Sequence, residues 1–436
     1  MFKLKLSFFE YILFVLLGAS STMSIVGWIV DGRFLSLFSI SLALSIFFLM
    51  LSPKIKCAVE NRSDIHFYIW MLISLLSCIF GYFFFSGMPR WQNASIAGIS
   101  KIFLYTFLLF LLCRSKRRTR YIRYIATGLL LGMIINLVWC IADAAIFYTS
   151  GYSITNILFS AYIEAKEIRY GMISLIASGG GQIRCSGLNY DPANIGIFAP
   201  ILAMYSLKSQ KKIILALAFL SVFASVSILA LVGILLVFVF HLFSYKKFTK
   251  TFVTIIVSVG ILLILITTNS NLSKRMSKAV SNRIEMKEEA SGLGDSNRNV
   301  YFTEFLPVAL DNPMYLIIGT GFNTASYAYK ETEHLKDVNL WPYDPECTYI
   351  SFFFDCGLIG FSYFIMLLFS LYKKFNHLIH LDNNDVYILY SAVIGTIIAF
   401  WGYHYTLYSV AMLITICAIV VSSKDYHVTR NDMVKG

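Results

Sequence analysis

The run IILALAFLSVFASVSILALVGILLVFVFHLF, residues 213–243, stands between Lys208, Lys211 and Lys212 on one side and Lys246, Lys247 and Lys250 on the other. A helix of about 20 apolar residues already matches a hydrocarbon core of roughly 30 Å. Lysines close to the ends of a span mark cytoplasmic loops. With lysines at both ends, the run must cross the membrane an even number of times. Two short helices meeting near Ser225 and Ser227 on the outer side satisfy that parity, each shorter than an average span.

The rest of the chain has the same character. Hydrophobic residues make up 58% of it and charged residues 14%, against about 45–50% and about 25% in soluble domains. A water-soluble fold could not hide that much apolar surface. The apolar runs are continuous rather than alternating, which points to helices and away from an outer-membrane barrel. The net charge of +12 would suggest a nucleic-acid partner in a soluble protein. Here the cations gather in short loops instead: Lys54, Lys56 and Arg62; Arg114 to Arg123; the two lysine groups above; and Lys373 with Lys374. No nucleic acid is expected.

The expected fold is an all-α integral membrane protein of about 12 transmembrane helices, a single polytopic domain over 1–436 with both termini cytoplasmic. The spans are placed at 8–30, 34–51, 65–86, 96–113, 124–149, 191–207, 213–225, 227–243, 251–268, 348–371, 386–402 and 405–422. The first, Phe8 to Val30, follows Lys3 and Lys5; it is too long for a signal peptide and is read as the targeting information. Two outer segments are long, Ser150 to Tyr190 and Thr268 to Cys347.

No Gly-rich nucleotide loop, zinc motif or nucleophile elbow occurs, so no metal or cofactor is expected. Gly179 to Gly181 form a weak anion nest or a plain loop. The eight cysteines lack metal-ligand spacing and read mostly as small apolar residues. Cys185 and Cys347 fall in the two outer segments, where a disulfide is open to them. Ionisable residues inside spans are costly and mark pairs or function. Lys101, Asp143 and Asp355 each lie within about two helical turns of an outer end. Lys101 is either a substrate contact, a snorkelling cation or the partner of Asp143.

The first outer segment ends in Arg184-Cys-Ser-Gly-Leu-Asn-Tyr-Asp-Pro-Ala-Asn194, directly before a span. Ser186 and Gly187 permit a tight turn, Pro192 suits a first helical turn, and Asp191 can cap it. Arg184 then stands at a membrane surface, where a guanidinium grips a phosphate through two parallel hydrogen bonds or anchors to headgroups. The second segment carries Asn297-Arg298, Asn312-Pro313, Gly319-Thr-Gly-Phe-Asn323 and Pro345-Glu-Cys-Thr-Tyr-Ile-Ser-Phe-Phe-Phe-Asp-Cys-Gly-Leu-Ile-Gly360.

In this order and placement, residues 184 to 362 resemble the O-antigen polymerase and ligase superfamily. Its members share an Arg-x-x-Gly, Asx-Pro entry to a span, an Arg in the second loop, a Gly-x-Gly turn, and a His-Asn-x-Tyr-Leu type segment before a Gly-x-x-Gly span. Where the ligases have His-Asn, this sequence has Glu346-Cys347. That departure favours a polymerase of the Wzy type. The resemblance implies glycosyl transfer at the periplasmic face of a bacterial inner membrane, from undecaprenyl diphosphate to a hydroxyl of another undecaprenyl-diphosphate-linked oligosaccharide repeat unit. Membrane lipids surround it, and a chain-length regulator protein is an expected partner.

Two chemical demands follow. The departing diphosphate needs cations, for which Arg184 and Arg298 are the candidates, and the acceptor hydroxyl must lose a proton. Glu346 is the first candidate base, with His334 and His404 as fallbacks. Arg169, Asp191, Asn194, Tyr349, His404 and Lys101 are candidate substrate contacts. Tyr190, Tyr301, Trp341, Tyr343 and Tyr349 pack on sugar faces or form an interfacial belt, and Lys166 with Arg169 lie at headgroups or on a solvated face. A ligase of the same superfamily, or a flippase for the same lipid-linked sugar, is the alternative. Internal repeats and midplane sites would mark a transporter, and no repeat between the halves is evident.

Overall fold

The computed structural model describes residues 2–30, 33–53, 62–85, 87, 89–165, 174–176, 183–189, 194–225, 227–244, 310–311, 313–324, 348–378, 384–399 and 408–422. They are mostly helical. In chain order the elements are α1 (Phe2–Ser21), the strands β1 (Gly27–Val30) and β2 (Arg33–Ser36), then α2 (Leu37–Leu51), α3 (Arg62–Phe85), α4 (Pro89–Arg114) and α5 (Arg118–Ser150). The short helices α6 (Ile154–Leu158) and α7 (Ser160–Ala165) and the strands β3 (Leu175–Ile176) and β4 (Ile183–Arg184) follow. Then come α8 (Ile195–Ser209), α9 (Lys212–Ser225), α10 (Ile228–Ser244), α11 (Pro313–Ile318), α12 (Thr348–Leu378), α13 (Asn384–Ala399) and α14 (Tyr408–Val421).

Each stretch expected to span overlaps one of these helices, the first only in part, except 251–268, which lies outside the described residues. Among the described residues, four stretches are long and apolar enough to cross a membrane: Ile65–Phe85, Trp91–Arg114, Arg118–Ser150 and Tyr349–Phe375. The other apolar helices are shorter. At 14 residues, α9 rises only about 21 Å. Large apolar side chains such as Phe47, Phe83, Phe103 and Phe369 are exposed on the flanks, a pattern suited to lipid and costly in water.

The first span needs correction. Its helix does not run to Val30 but stops at Ser21, and a β1–β2 hairpin follows. The stop has a local cause. The hydroxyls of Ser20, Ser21 and Thr22 turn back onto the carbonyls of Leu17, Gly18 and Ala19 at 3.3, 2.7 and 2.7 Å, offering the backbone an alternative to continuing the helix. Trp28, Ile29 and Val30 then favour extended structure.

Small residues set the closest helix contacts. A Cβ at Gly128 would meet the Val15 carbonyl oxygen at 2.1 Å, and one at Gly18 the Ile125 oxygen at 2.2 Å. Gly128 and Gly132 thus form a small-xxx-small face on α5 that lets α1 approach backbone to backbone. The central helix is α8, in which every residue from Ile195 to Ser206 is buried. Gly233 of α10 seats on Pro200, and Gly395 of α13 seats on Ile201.

Contacts between elements sort the helix ends into two sets. At one end Glu10 pairs with Arg117, Lys116 N–H donates to the Pro53 carbonyl at 3.0 Å, Lys211 donates to the Tyr205 hydroxyl at 3.2 Å, and Lys208 lies over the Tyr387 ring. This is the basic end. At the opposite end the α9–α10 junction sits beside β4, where Cys185 N–H donates to the Ala224 carbonyl at 3.1 Å. The expected break at Ser225 to Ser227 is therefore present, on the side away from the lysines.

Candidate functional site

Arg184 is positioned from both sides along the chain. Its strand pairs antiparallel with β3, with Leu175 opposite Arg184. Beyond it, the backbone turns through Gly187 at φ +67°, where an added Cβ would lie 2.9 Å from the Asn136 carbonyl oxygen. Asn136 of α5, fully buried, holds the turn. Its Oδ1 accepts from the Leu188 N–H at 2.9 Å and from Asn189 Nδ2 at 2.8 Å, while its Nδ2 donates to the carbonyls of Thr22 and Gly132 at 2.9 Å each. One carboxamide thus ties together the end of α1, the middle of α5 and the turn that follows Arg184. Sequence reading passed over Asn136; a lone amide inside an apolar span was the available signal.

The turn leads to the start of α8, where Ile195 Cδ1 lies 3.4 Å from the Cβ position of Gly187. Asn194, immediately before it, is fully buried, and neither its Nδ2 nor its Oδ1 has a hydrogen-bond partner. An N-cap Asn ordinarily accepts from the first-turn N–H groups. Asn194 instead has helical angles, φ −57° and ψ −29°, and makes no such bond. A buried carboxamide left unused costs about 1–3 kcal/mol for each unsatisfied group, a cost that functional sites commonly bear.

Asp143 and Asp355, the two carboxylates expected near outer helix ends, serve as anchors. Asp143 is fully buried and accepts from the hydroxyls of Ser153, Thr155 and Ser174 at 3.0, 2.8 and 2.7 Å, and from the Thr155 N–H at 3.3 Å. Its acceptor sites are occupied by the chain after α5, with no bond to Lys101. Lys101 itself lies 12 residues into α4, because that helix begins at Pro89 rather than near 96. Its place is about 18 Å from the helix start, not within two turns of it.

Asp355 caps the Gly-x-Gly loop. Its two carboxylate oxygens accept from the N–H groups of Asn323 and Thr324, each at 3.0 Å, and its carbonyl accepts from the Gly321 N–H at 3.0 Å. Three positive φ values, at Gly319 (+88°), Gly321 (+114°) and Asn323 (+67°), curl the loop tightly. It is wedged against α3 and α4: Trp91 Nε1 donates to the Thr320 carbonyl at 3.1 Å, and an added Cβ at Gly81 would reach that same oxygen at 2.2 Å. α12 is interrupted two residues past Asp355, at Gly357, where a Cβ would strike the Ile317 carbonyl oxygen at 2.3 Å. At the start of α12, Tyr349 is buried and its hydroxyl donates to the Ile397 carbonyl at 2.9 Å.

Cys185 lies against Cys140, whose thiol donates to the Cys185 carbonyl at 3.5 Å. Contact with Cys140 and burial push the Cys185 thiol well above its ordinary range. Glu346, Arg298, Arg169, Asp191, His404, His334, Lys166 and Cys347 lie outside the described residues, as do Gly179 to Gly181 and the aromatics Tyr190, Tyr301, Trp341 and Tyr343.

The described parts of both long segments therefore meet the bundle at the end away from the lysines: the Arg184 turn beside Asn194, and the Gly319 to Thr324 loop beside Asp355. Residues 213–365, from the start of α9 into α12, match the family model described as O-antigen ligase. Over that segment, roughly a third of its length, the chain is similar to the O-antigen polymerase/ligase superfamily. Superfamily members are glycosyltransferase-like membrane enzymes, and the apolar helices above suit that class. No curated protein matches the chain. Within the superfamily match fall the Gly-x-Gly loop, Asp355 and Glu346, whereas Arg184 and Asn194 precede it.

Proposed function

We propose that the chain is a polymerase of lipid-linked sugar repeats, working at the outer face of the bacterial inner membrane. In this reading the basic end is cytoplasmic, the chain crosses about twelve times, and residues 150–190 and 268–347 are periplasmic. The observation that carries it is the buried, unbonded carboxamide of Asn194, at the start of the helix entered from the turn that follows Arg184, in a chain whose residues 213–365 match the O-antigen ligase model.

The donor is an oligosaccharide on undecaprenyl diphosphate and the acceptor is a hydroxyl of another such repeat unit. The acceptor oxygen attacks the anomeric carbon and the bond to the diphosphate breaks. The leaving group departs as undecaprenyl diphosphate, and the acceptor proton passes to a base. Arg184 and Arg298 offset the charge gathering on the diphosphate, which is where preorganised cations contribute most. Glu346 takes the proton. Arg169, Asp191, Asn194, Tyr349, His404 and Lys101 are the remaining candidate contacts with the sugars and headgroups, and a chain-length regulator is a candidate partner.

The description of the matching family favours a second reading, a ligase that delivers the glycan to a lipid A core. Glu346-Cys347 in place of His-Asn supports the polymerase. Purified protein given synthetic undecaprenyl-diphosphate repeats distinguishes the two. The polymerase extends them without any core acceptor; transfer that occurs only to added core would overturn the proposal.

A further inference from the structure

Asn136, Cys140 and Asp143 follow one another on α5 at spacings that place them on one face of the helix, and all three are fully buried. Asn136 holds the turn after Arg184, and Asp143 holds the chain that follows α5. Cys140, between them, meets Cys185. Its Sγ lies 3.5 Å from the Cys185 carbonyl oxygen and 4.0 Å from that of Ser221, and the two thiols are in hydrogen-bonding contact. Cys185 is fully buried too, and its N–H is held by the Ala224 carbonyl at 3.1 Å.

A thiol is a weak donor and a weak acceptor, so as a hydrogen bond the contact contributes little. As a covalent site it is nearly complete. A disulfide requires two side chains that reach each other without moving the backbone, and α5, β4 and α9 already hold the backbone around this pair. The pair also sits at the non-basic end, one residue from Arg184. An oxidising compartment lets such a bond form and persist.

We propose that Cys140 and Cys185 are joined as a disulfide in the cell, tying the strand that carries Arg184 covalently to α5. The inference rests on the outer placement of this end in the reading above, and not on the chemistry of transfer. One cysteine thiolate attacks the disulfide of an oxidant of the thiol–disulfide oxidoreductase class, forming a mixed disulfide and releasing one oxidant thiol. The other cysteine then displaces the second oxidant sulfur. Two protons and two electrons leave the pair, and the oxidant's disulfide becomes two thiols. Both cysteines are closed off in the folded chain, so the exchange precedes the pairing of β4 with β3. The bond closes a loop between positions 45 residues apart, and so holds the Arg184 strand on the Asn136 face of α5.

The test quenches cells in acid, blocks free thiols with a maleimide in denaturant, and maps peptides of the full chain by mass spectrometry. A peptide pair joining Cys140 to Cys185 is expected, two hydrogen masses lighter than its thiol forms and absent after reduction. Both cysteines recovered blocked, Cys185 joined to Cys347 instead, or the pair joined only when the quench is omitted, would each overturn the proposal. Cys140→Ser, Cys185→Ser and the double variant should lower the thermal midpoint by the same amount, on the order of several degrees, because each removes the same bond; losses that add would overturn it. The disulfide found in a protein that makes no polymer would sink the polymerase reading and leave this inference standing. Free thiols in a protein that polymerises would do the reverse.

Discussion

Asp355→Asn removes one negative charge and one acceptor from the seat of the Gly-x-Gly loop without changing side-chain size. In the native loop both carboxylate oxygens are used, one by the Asn323 N–H and one by the Thr324 N–H, each at 3.0 Å. A hydrogen bond to a charged group contributes about 1.5–3 kcal/mol, and a neutral one about 1 kcal/mol. The amide keeps one neutral bond and turns its NH₂ toward the other backbone donor. The net loss is therefore roughly 2–5 kcal/mol. Local opening of the loop should become easier by about one and a half to three and a half powers of ten, at 1.4 kcal/mol for each. Hydrogen exchange of peptides covering 319–324, measured in detergent or nanodiscs, reports that opening. Protection is expected to fall by that factor, while α8 and α5 keep theirs. Unchanged protection at Asn323 and Thr324 would refute the view that Asp355 seats this loop.

Asp143→Ala leaves three buried hydroxyls and one N–H without their acceptor, and is expected to lower the thermal midpoint of the purified protein by several degrees and to loosen residues 153–174 in proteolysis. Asn194→Leu should leave that midpoint unchanged or raised, because it removes an unbonded buried carboxamide, yet reduce transfer at least tenfold; a wild-type rate would remove Asn194 from the site. Gly128→Leu forces α1 and α5 apart by the width of a side chain, and is expected to abolish the folded monomer peak in fluorescence-detected size exclusion, with Leu130→Ala as a tolerated control. Cys185 of the reduced protein, neutral because its thiol is held well above the ordinary range by Cys140 and burial, should resist alkylation at pH 8 in the folded protein and react after denaturation; rapid labelling of the folded protein would contradict its placement.

Much of the bundle was legible because its signals are periodic or paired. The lysines flanking 213–243 required a break on the far side, and α9 and α10 meet there. The end of α1 was not legible from hydropathy, since Met23 to Val30 is as apolar as a span; the hydroxyl run at Ser20 to Thr22 was the physical signal, and its effect depends on geometry. The small face at Gly128 and Gly132 was present in the sequence, but a glycine pair acquires meaning only with the helix that packs on it. Among the site residues, Arg184 and Asn194 were found through the turn and helix start between them. The anchoring roles of Asp143 and Asp355 were hidden because their donors lie up to 32 residues away. A charge inside a span indicates that a partner exists without indicating which one.

The central claim is that this enzyme joins repeat units, and Arg184 is required for the joining. The most direct measurement is the length distribution of surface polysaccharide on gels, from cells deleted for the gene and complemented with wild type or Arg184→Ala. The account predicts long chains with wild type, and lipid A core bearing a single repeat unit in the deletion and with Arg184→Ala inserted at normal level. Core bearing no repeat at all in the deletion strain would contradict it and point to a ligase or a flippase.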